Sequence, residues 1–266
     1  MEPNDKQPND KQPNDIQPSA THGTIQADLT GVTALVTGAG RGIGEAVATM
    51  LATAGAEVMI TARSEARLRS VADSISSHGG TAHVVPADLT NNAHIERLAA
   101  EVRRRFEHLD ILVNNAGIAE SYSLLDTTAE TWDRHMAINA RAPFLLSTQL
   151  VDVLERSRDG VIVNIGSVVD HKGYVNQGAY TASKHALSGF TKVLAKELHP
   201  RGIRVHLLSP GGVSTEMIRE VRPDIDPERL MTPQAVARSI LFLVTMGGNA
   251  IADEIRLRRR DSEPWK

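Results

Sequence analysis

The sequence predicts an α/β fold: a single domain on a doubly wound, parallel, seven-stranded sheet with helices on both faces. Three observations carry that reading. From Leu29 onward, short apolar, β-branched runs alternate with longer segments of helical period. The runs are apolar through both faces, as strands are when helices cover a sheet on each side. The first run leads straight into a glycine-rich turn and then a helix.

In order, the strand runs are 34–37, 58–61, 83–86, 111–114, 161–165, 205–208 and 255–257. Helical periodicity fills 43–54, 65–77, 92–106, 128–156, 181–199 and 233–245 between them. Right-handed crossovers then wind the sheet in both directions from its middle, and ligands are expected at the carboxyl ends of the strands. Residues 28–266 contain nothing that reads as a linker, so they form one domain. Ahead of them, residues 3–7, 8–12 and 13–17 repeat a Pro-Asn-Asp pattern with a period of five. That pattern offers no apolar face, so residues 1–25 are expected to be a disordered, solvated tail.

Composition removes several classes of function. A chain of 266 residues with 41% apolar content can build a core without disulfides or structural metal. The absence of cysteine excludes thiolate zinc sites, iron–sulfur clusters and cysteine nucleophiles. The ten histidines are scattered without an H-E-x-x-H or H-x-H spacing, so no metal is assigned. His171 and His185, which flank the candidate site in sequence, read as exposed loop and helix residues. A net charge of −3 gives no attraction for nucleic acid or anionic membrane, and 3% aromatics are too few for base stacking. No run of 18 apolar residues and no signal-like N-terminal stretch occur, so a cytoplasmic location is expected.

The turn after the first strand reads Thr37-Gly38-Ala39-Gly40-Arg41-Gly42-Ile43-Gly44. Its glycines allow a tight turn, backbone approach to a pyrophosphate and close helix–strand packing, and the helix N-terminus favours the phosphates. Ile43 stands where G-x-G-x-x-G would place its third glycine; the spacing that holds is T-G-x-x-x-G-x-G. Further along come Asp88, Asn114-Asn115-Ala116-Gly117, Asn139, Ser167, Tyr180-x-x-x-Lys184 and Pro210-Gly211-x-Val213-x-Thr215. On these motifs the chain resembles the short-chain dehydrogenase/reductase family, in its single-domain, Rossmann-like branch, over nearly everything after the tail.

That resemblance implies a role for each position. Gly38, Arg41, Gly42, Ile43 and Gly44 would bind the cofactor's phosphates, and Asp88 with Leu89 its adenine end. Asn115, Ala116 and Gly117 would steady the sheet and leave room for the dinucleotide. Pro210, Gly211, Val213 and Thr215 would hold the nicotinamide carboxamide. Tyr180 would be the general acid or base, Ser167 would stabilise the carbonyl oxygen, and Lys184 would tune Tyr180 and bind ribose. Asn139, expected inside one long helix, would support a water linking Lys184 to solvent. Read without the family, a Tyr and a Lys four apart are commonplace on a helix. Ser167 at the end of the fifth strand is what sets this pair apart.

For the cofactor, the end of the second strand reads Thr61-Ala62-Arg63-Ser64, without the acid that binds the ribose hydroxyls of NAD. Arg41 and Arg63 would suit a 2′-phosphate instead, so NADP is expected over NAD. The short, charged 216–231 segment cannot enclose a large apolar substrate, which leaves a small-molecule or carrier-bound carbonyl. The texture is similar to 3-oxoacyl-[acyl-carrier-protein] reductases, although Asp152 stands where a carrier-docking arginine would be expected. The alternatives are an NAD(P)-dependent dehydrogenase of a small ketone, sugar or polyol, and a non-catalytic NADP-sensing protein. The resemblance also implies a homodimer or homotetramer through the helices at 128–156 and 181–199.

Overall fold

The computed structural model describes residues 27–221 and 224–264. The tail expected over residues 1–25 lies outside them. Seven strands form one sheet: β1 (Thr33–Thr37), β2 (Glu57–Thr61), β3 (Thr81–Val84), β4 (Ile111–Asn114), β5 (Val161–Ile165), β6 (Arg204–Pro210) and β7 (Glu254–Leu257). Their spatial order is β3-β2-β1-β4-β5-β6-β7, and every pairing is parallel. The order reverses between β1 and β4, where a doubly wound sheet opens its ligand crevice.

Successive residues of each strand feed opposite layers. Ala34 and Val36 of β1 pack in one apolar layer and Leu35 in the other. Helices α1 (Gly42–Thr53), α2 (Glu65–Ser77) and α9 (Pro233–Thr245) cover the first layer. Helix α3 (Asn92–Arg105), together with segments between β4 and β6, covers the second. In α3 the buried set Ile95, Leu98, Ala99 and Val102 has the i, i+3, i+4, i+7 spacing that brings one helix face onto a sheet. Ser64 caps α2, Asn91 caps α3 and Thr232 caps α9, each accepting from a first-turn N–H.

Two elements depart from the sequence reading. The edge strand β3 starts two residues before the expected 83–86 run. Its pairing begins at Thr81, and Pro86 has no N–H to extend a ladder. The expected long helix at 128–156 is broken into α4 (Ala129–Met136), a π turn (Ala137–Arg141), α5 (Ala142–Gln149) and α6 (Val151–Leu154). Pro143 explains the first break. In an unbroken helix its ring would clash with the Asn139 carbonyl four residues back, and one wide turn relieves that clash. Helix α7 (Gly178–Leu198) begins three residues earlier than expected, which places Tyr180 in its first turn. A short α8 (Glu216–Val221) follows β6. Among the described residues, no helix is long and apolar enough to cross a membrane.

Candidate active site

The glycine turn is shaped by contacts that only hydrogen can satisfy. A Cβ on Gly38 would lie 2.8 Å from Ala116 Cα, and one on Gly44 would lie 2.3 Å from the Gly38 carbonyl oxygen. Gly38 and Gly42 hold φ of +66° and +61°, the region glycine enters at least cost. No side chain caps α1 at Arg41, so its N-terminus keeps backbone N–H groups for a ligand. Asn115 pins this turn to β4: its Nδ2 donates to the Thr37 carbonyl at 2.8 Å, and the Asn115 and Ala116 N–H groups both donate to Thr37 Oγ1.

The π turn turns Asn139 inward and buries it completely. Its Oδ1 accepts from Ile118 N–H, while Nδ2 donates to the Ile118 carbonyl and to Ser183 Oγ, each at 2.9 Å. Gly117 lies between this amide and Lys184; a Cβ there would be 3.1 Å from Asn139 Oδ1 and 3.7 Å from Lys184 Nζ. The Asn139 side chain therefore fixes the loop after β4 and the floor beneath Lys184.

Ser167 leaves β5 as the N-cap of a 3-10 turn (Val168–Asp170), with its side chain close enough to Tyr180 to favour the phenolate. Tyr180 is half-buried, with Lys184 one turn further along the same helix face. The ammonium donates to the Ile165 carbonyl at 2.7 Å and lies 6.0 Å from the Tyr180 ring centroid. Burial pulls the Lys184 ammonium down to about 8, against an opposing pull from the Asp170 charge. The resemblance implies that Lys184 tunes Tyr180, and an ammonium nearby would favour the phenolate. In the protein alone the net direction is upward: burial and the Asp170 charge raise the phenol, and the Ser167 side chain only partly offsets them.

At the other end of the crevice, Asp88 Oδ1 accepts from the N–H and hydroxyl of Thr90, and these bonds help hold the carboxyl below its ordinary value against desolvation. Leu89 is buried beside it. Arg63 is exposed, and its charge reaches Asp88. The two guanidinium groups that converge are Arg41 and Arg67, and both pair with Glu216 at the start of α8. Arg67 was not expected. Its signal was its place three residues after the Ser64 cap, from where a first-turn side chain leans back over the preceding loop. A Cβ on Gly40 would meet Arg67 Cβ at 3.3 Å and Ala62 Cβ at 3.5 Å, so Arg67 borders the glycine turn.

Beyond β6, Gly211 N–H donates to the Leu257 carbonyl, buried Val213 bridges to Met231, and the Thr215 methyl lies 3.1 Å from where a Gly42 Cβ would stand. The 210–215 stretch thus faces the glycine turn across the crevice. His185 is exposed and bonds only within its own helix, as expected. His171 is not a free loop residue: directly after the 3-10 turn, it is half-buried between Asp170, Glu254 and Arg256 at the end of β7.

A family profile described as short chain dehydrogenase matches residues 32–226. The chain is 36% identical over 240 residues to the 3-oxoacyl-[acyl-carrier-protein] reductase FabG of Aquifex aeolicus, covering 87% of this chain and 97% of that relative. It is 37% identical over 223 residues to the Escherichia coli protein of the same name, covering 81% and 90%. A solved short chain dehydrogenase from Shigella flexneri, complexed with NADP, matches with a TM-score of 0.82 at 32% identity, covering 87% of this chain and 98% of that one. The chain belongs to the short-chain dehydrogenase/reductase family and is an oxidoreductase acting between carbonyl and CH–OH groups.

Proposed function

We propose that the chain is an NADP-dependent carbonyl reductase whose substrate is a 3-oxoacyl thioester carried on an acyl carrier protein. The observation that carries the reading is Lys184, buried one helical turn from Tyr180, with Ser167 at the end of β5 beside the same phenol. The bound nicotinamide would supply or accept the hydride. Tyr180 Oη gives its proton to the substrate oxygen in reduction and takes it back in oxidation. The Ser167 hydroxyl donates to the same oxygen and stabilises its developing negative charge. Lys184 supplies positive charge at the pocket floor, held by the Ile165 carbonyl. Asn139 keeps the loop after β4 and Ser183 in place around it.

The residues present fit a dinucleotide: the cradle of Gly38, Gly42 and Gly44, the uncapped α1 and the space at Gly117 each leave room that a side chain would fill. Glu216 acts as a stand-in anion. A carboxylate held by Arg41 and Arg67 supports a 2′-phosphate seat at that corner, with Arg63 adding charge nearby. NADP preference over NAD follows from that seat.

For the substrate, Tyr122, Leu124 and Leu125 after β4, with Tyr174 and Val175 before α7, are exposed on two loops joined at Tyr122 and Asn176. This apolar rim suits an acyl chain better than a sugar or polyol. On α5 and α7, exposed Phe144 and Val193 flank the Phe144–Phe190 edge contact, which supports homo-oligomer formation through that face.

The test is initial rates of NADPH and NADH oxidation with acetoacetyl thioester, beside a panel of ketones and sugars. Fast thioester reduction with NADPH is the expected result. Turnover of a sugar or simple ketone with an inert thioester would overturn the substrate, and NADPH binding with no turnover at all would favour a sensor.

A further inference from the structure

Asp170 is a buried carboxylate that the mechanism above leaves unused. It ends the 3-10 turn that starts at Ser167, and its side chain has no solvent exposure. Taking such a group out of water costs several kcal/mol unless its lone pairs are used. One oxygen is used twice: Oδ2 accepts from Ser167 N–H at 3.0 Å and from the Ser209 hydroxyl, at the end of β6, at 2.6 Å. The seat is shaped for it, since a Cβ on Gly166 would fall 2.2 Å from Oδ2 and 2.9 Å from Ser209 Oγ.

The other oxygen makes no hydrogen bond. Oδ1 lies 2.9 Å from His171 Nε2, yet that nitrogen serves Glu254 Oε1 at 2.6 Å. On the ring's other side, Arg256 Nη2 lies 3.0 Å from His171 Nδ1. His171, Glu254 and Arg256 thus form their own ion cluster at the end of β7. The Asp170 charge borders this cluster and also reaches Tyr180 and Lys184 on α7.

We propose that Asp170 is a positioning residue for carbonyl reduction, clamping the Ser167 turn onto β6 and setting the electrostatic field at the Tyr180–Lys184 pair. The proposal rests on the assignment of Tyr180 as the proton donor. The clamp fixes where the Ser167 hydroxyl points, because Asp170 holds the backbone N–H of the serine itself. The field acts on the groups that face it: Tyr180 and Lys184 from α7, Ser167 from its own turn, Ser209 from β6, and His171 with Glu254 and Arg256 beyond. A nearby negative charge favours the protonated form of both Tyr180 and Lys184.

Two variants separate the clamp from the field. Asp170→Asn can keep both hydrogen bonds with its amide oxygen in the place of Oδ2, accepting from Ser167 N–H and the Ser209 hydroxyl, while the charge is lost. Asp170→Ala loses both. For Asp170→Asn, the acid limb of the pH profile for alcohol oxidation is expected to move down by about 1 pH unit, with kcat on the plateau kept within severalfold. For Asp170→Ala, kcat is expected to fall at least roughly tenfold with the NADPH dissociation constant unchanged. Should the alanine variant fail to fold, Ser209→Ala removes only one of the bonds and is expected to lower kcat by a smaller factor in the same direction.

A readout independent of turnover keeps this apart from the catalytic assignment. The chain has three tyrosines, so ultraviolet tyrosinate titration, with Tyr180→Phe subtracted, isolates the Tyr180 ionisation. It is expected to shift down in Asp170→Asn. A limb and a titration that both stay in place while only thermal stability drops would overturn the field. Wild-type kcat in Asp170→Ala would overturn the clamp. A shifted titration with Tyr180→Phe still turning over would sustain the field and overturn the reading of Tyr180 instead.

Discussion

Two carboxylates stand at opposite ends of one crevice, and their surroundings give them opposite properties. Asp170 is fully enclosed, with no exposure to bulk solvent, and bonded to the backbone of Ser167. Glu216 is 40% exposed and is held only by two guanidinium groups that are themselves nearly half exposed. A buried charge acts strongly on its neighbours because the medium is weakly polarisable, whereas exposed ion pairs are worth about 0–1 kcal/mol. The first can therefore bias the ionisation of Tyr180 and Lys184. The second can be displaced by a competing anion. Fixed chemistry and exchangeable binding thus sit on one sheet edge, separated by burial.

The comparison is sharpened most by Lys184, the buried cation facing Asp170. Its folded value of about 8 lies below the ordinary 10.5, so the folded chain binds its proton less tightly than the unfolded chain. Below pH 8 the burial penalty is fully present, and it fades as pH rises toward 10.5, so stability gains across that window. Lys184→Met should abolish most turnover and should lose this alkaline gain. At pH 7 it should be more stable by at most about 3 kcal/mol, less about 1 kcal/mol for the Ile165 carbonyl left without a donor. Chemical denaturation at pH 7 and pH 10 measures both. A wild-type stability that is flat over that range would contradict the burial account.

At the exposed end the effects are smaller and depend on salt. Arg67→Ala should weaken NADP binding roughly tenfold and leave NAD binding unchanged, as fluorescence titration would read. Equal loss for both cofactors would move Arg67 away from the phosphate corner. Glu216→Ala should tighten NADP binding by about threefold, because the phosphate then has no internal competitor. Raising the ionic strength should erase much of that gain. A Glu216→Ala variant that binds NADP more weakly would break the comparison, since Glu216 would then be supporting the seat.

What could be read from the sequence follows the same division. Strands β1, β4 and β5 announce themselves because they are apolar on both faces, and the glycine turn because its spacing answers to backbone sterics. Tyr180, Lys184 and Ser167 are singled out through their order along the chain. The π turn was hidden because periodicity cannot count one extra residue in a helix, although Pro143, four residues after Asn139, was the sign of it. Arg67 and Glu216 meet across 149 residues, which no local pattern encodes. Asp170 did leave a mark: Ser167-Val-Val-Asp170 has the serine-to-acid spacing of a capping box, which the structure forms. Its second anchor, Ser209, comes from another strand and is visible only in the fold.

The most direct test of the account is Tyr180→Phe, measured in a single turnover of NADPH with acetoacetyl thioester and paired with an NADPH binding titration. Removing one hydroxyl should slow hydride transfer by about 10³-fold while cofactor affinity stays at the wild-type value. A phenylalanine variant that binds NADPH and reduces the thioester at close to the wild-type rate would contradict it, because the proton would then come from elsewhere.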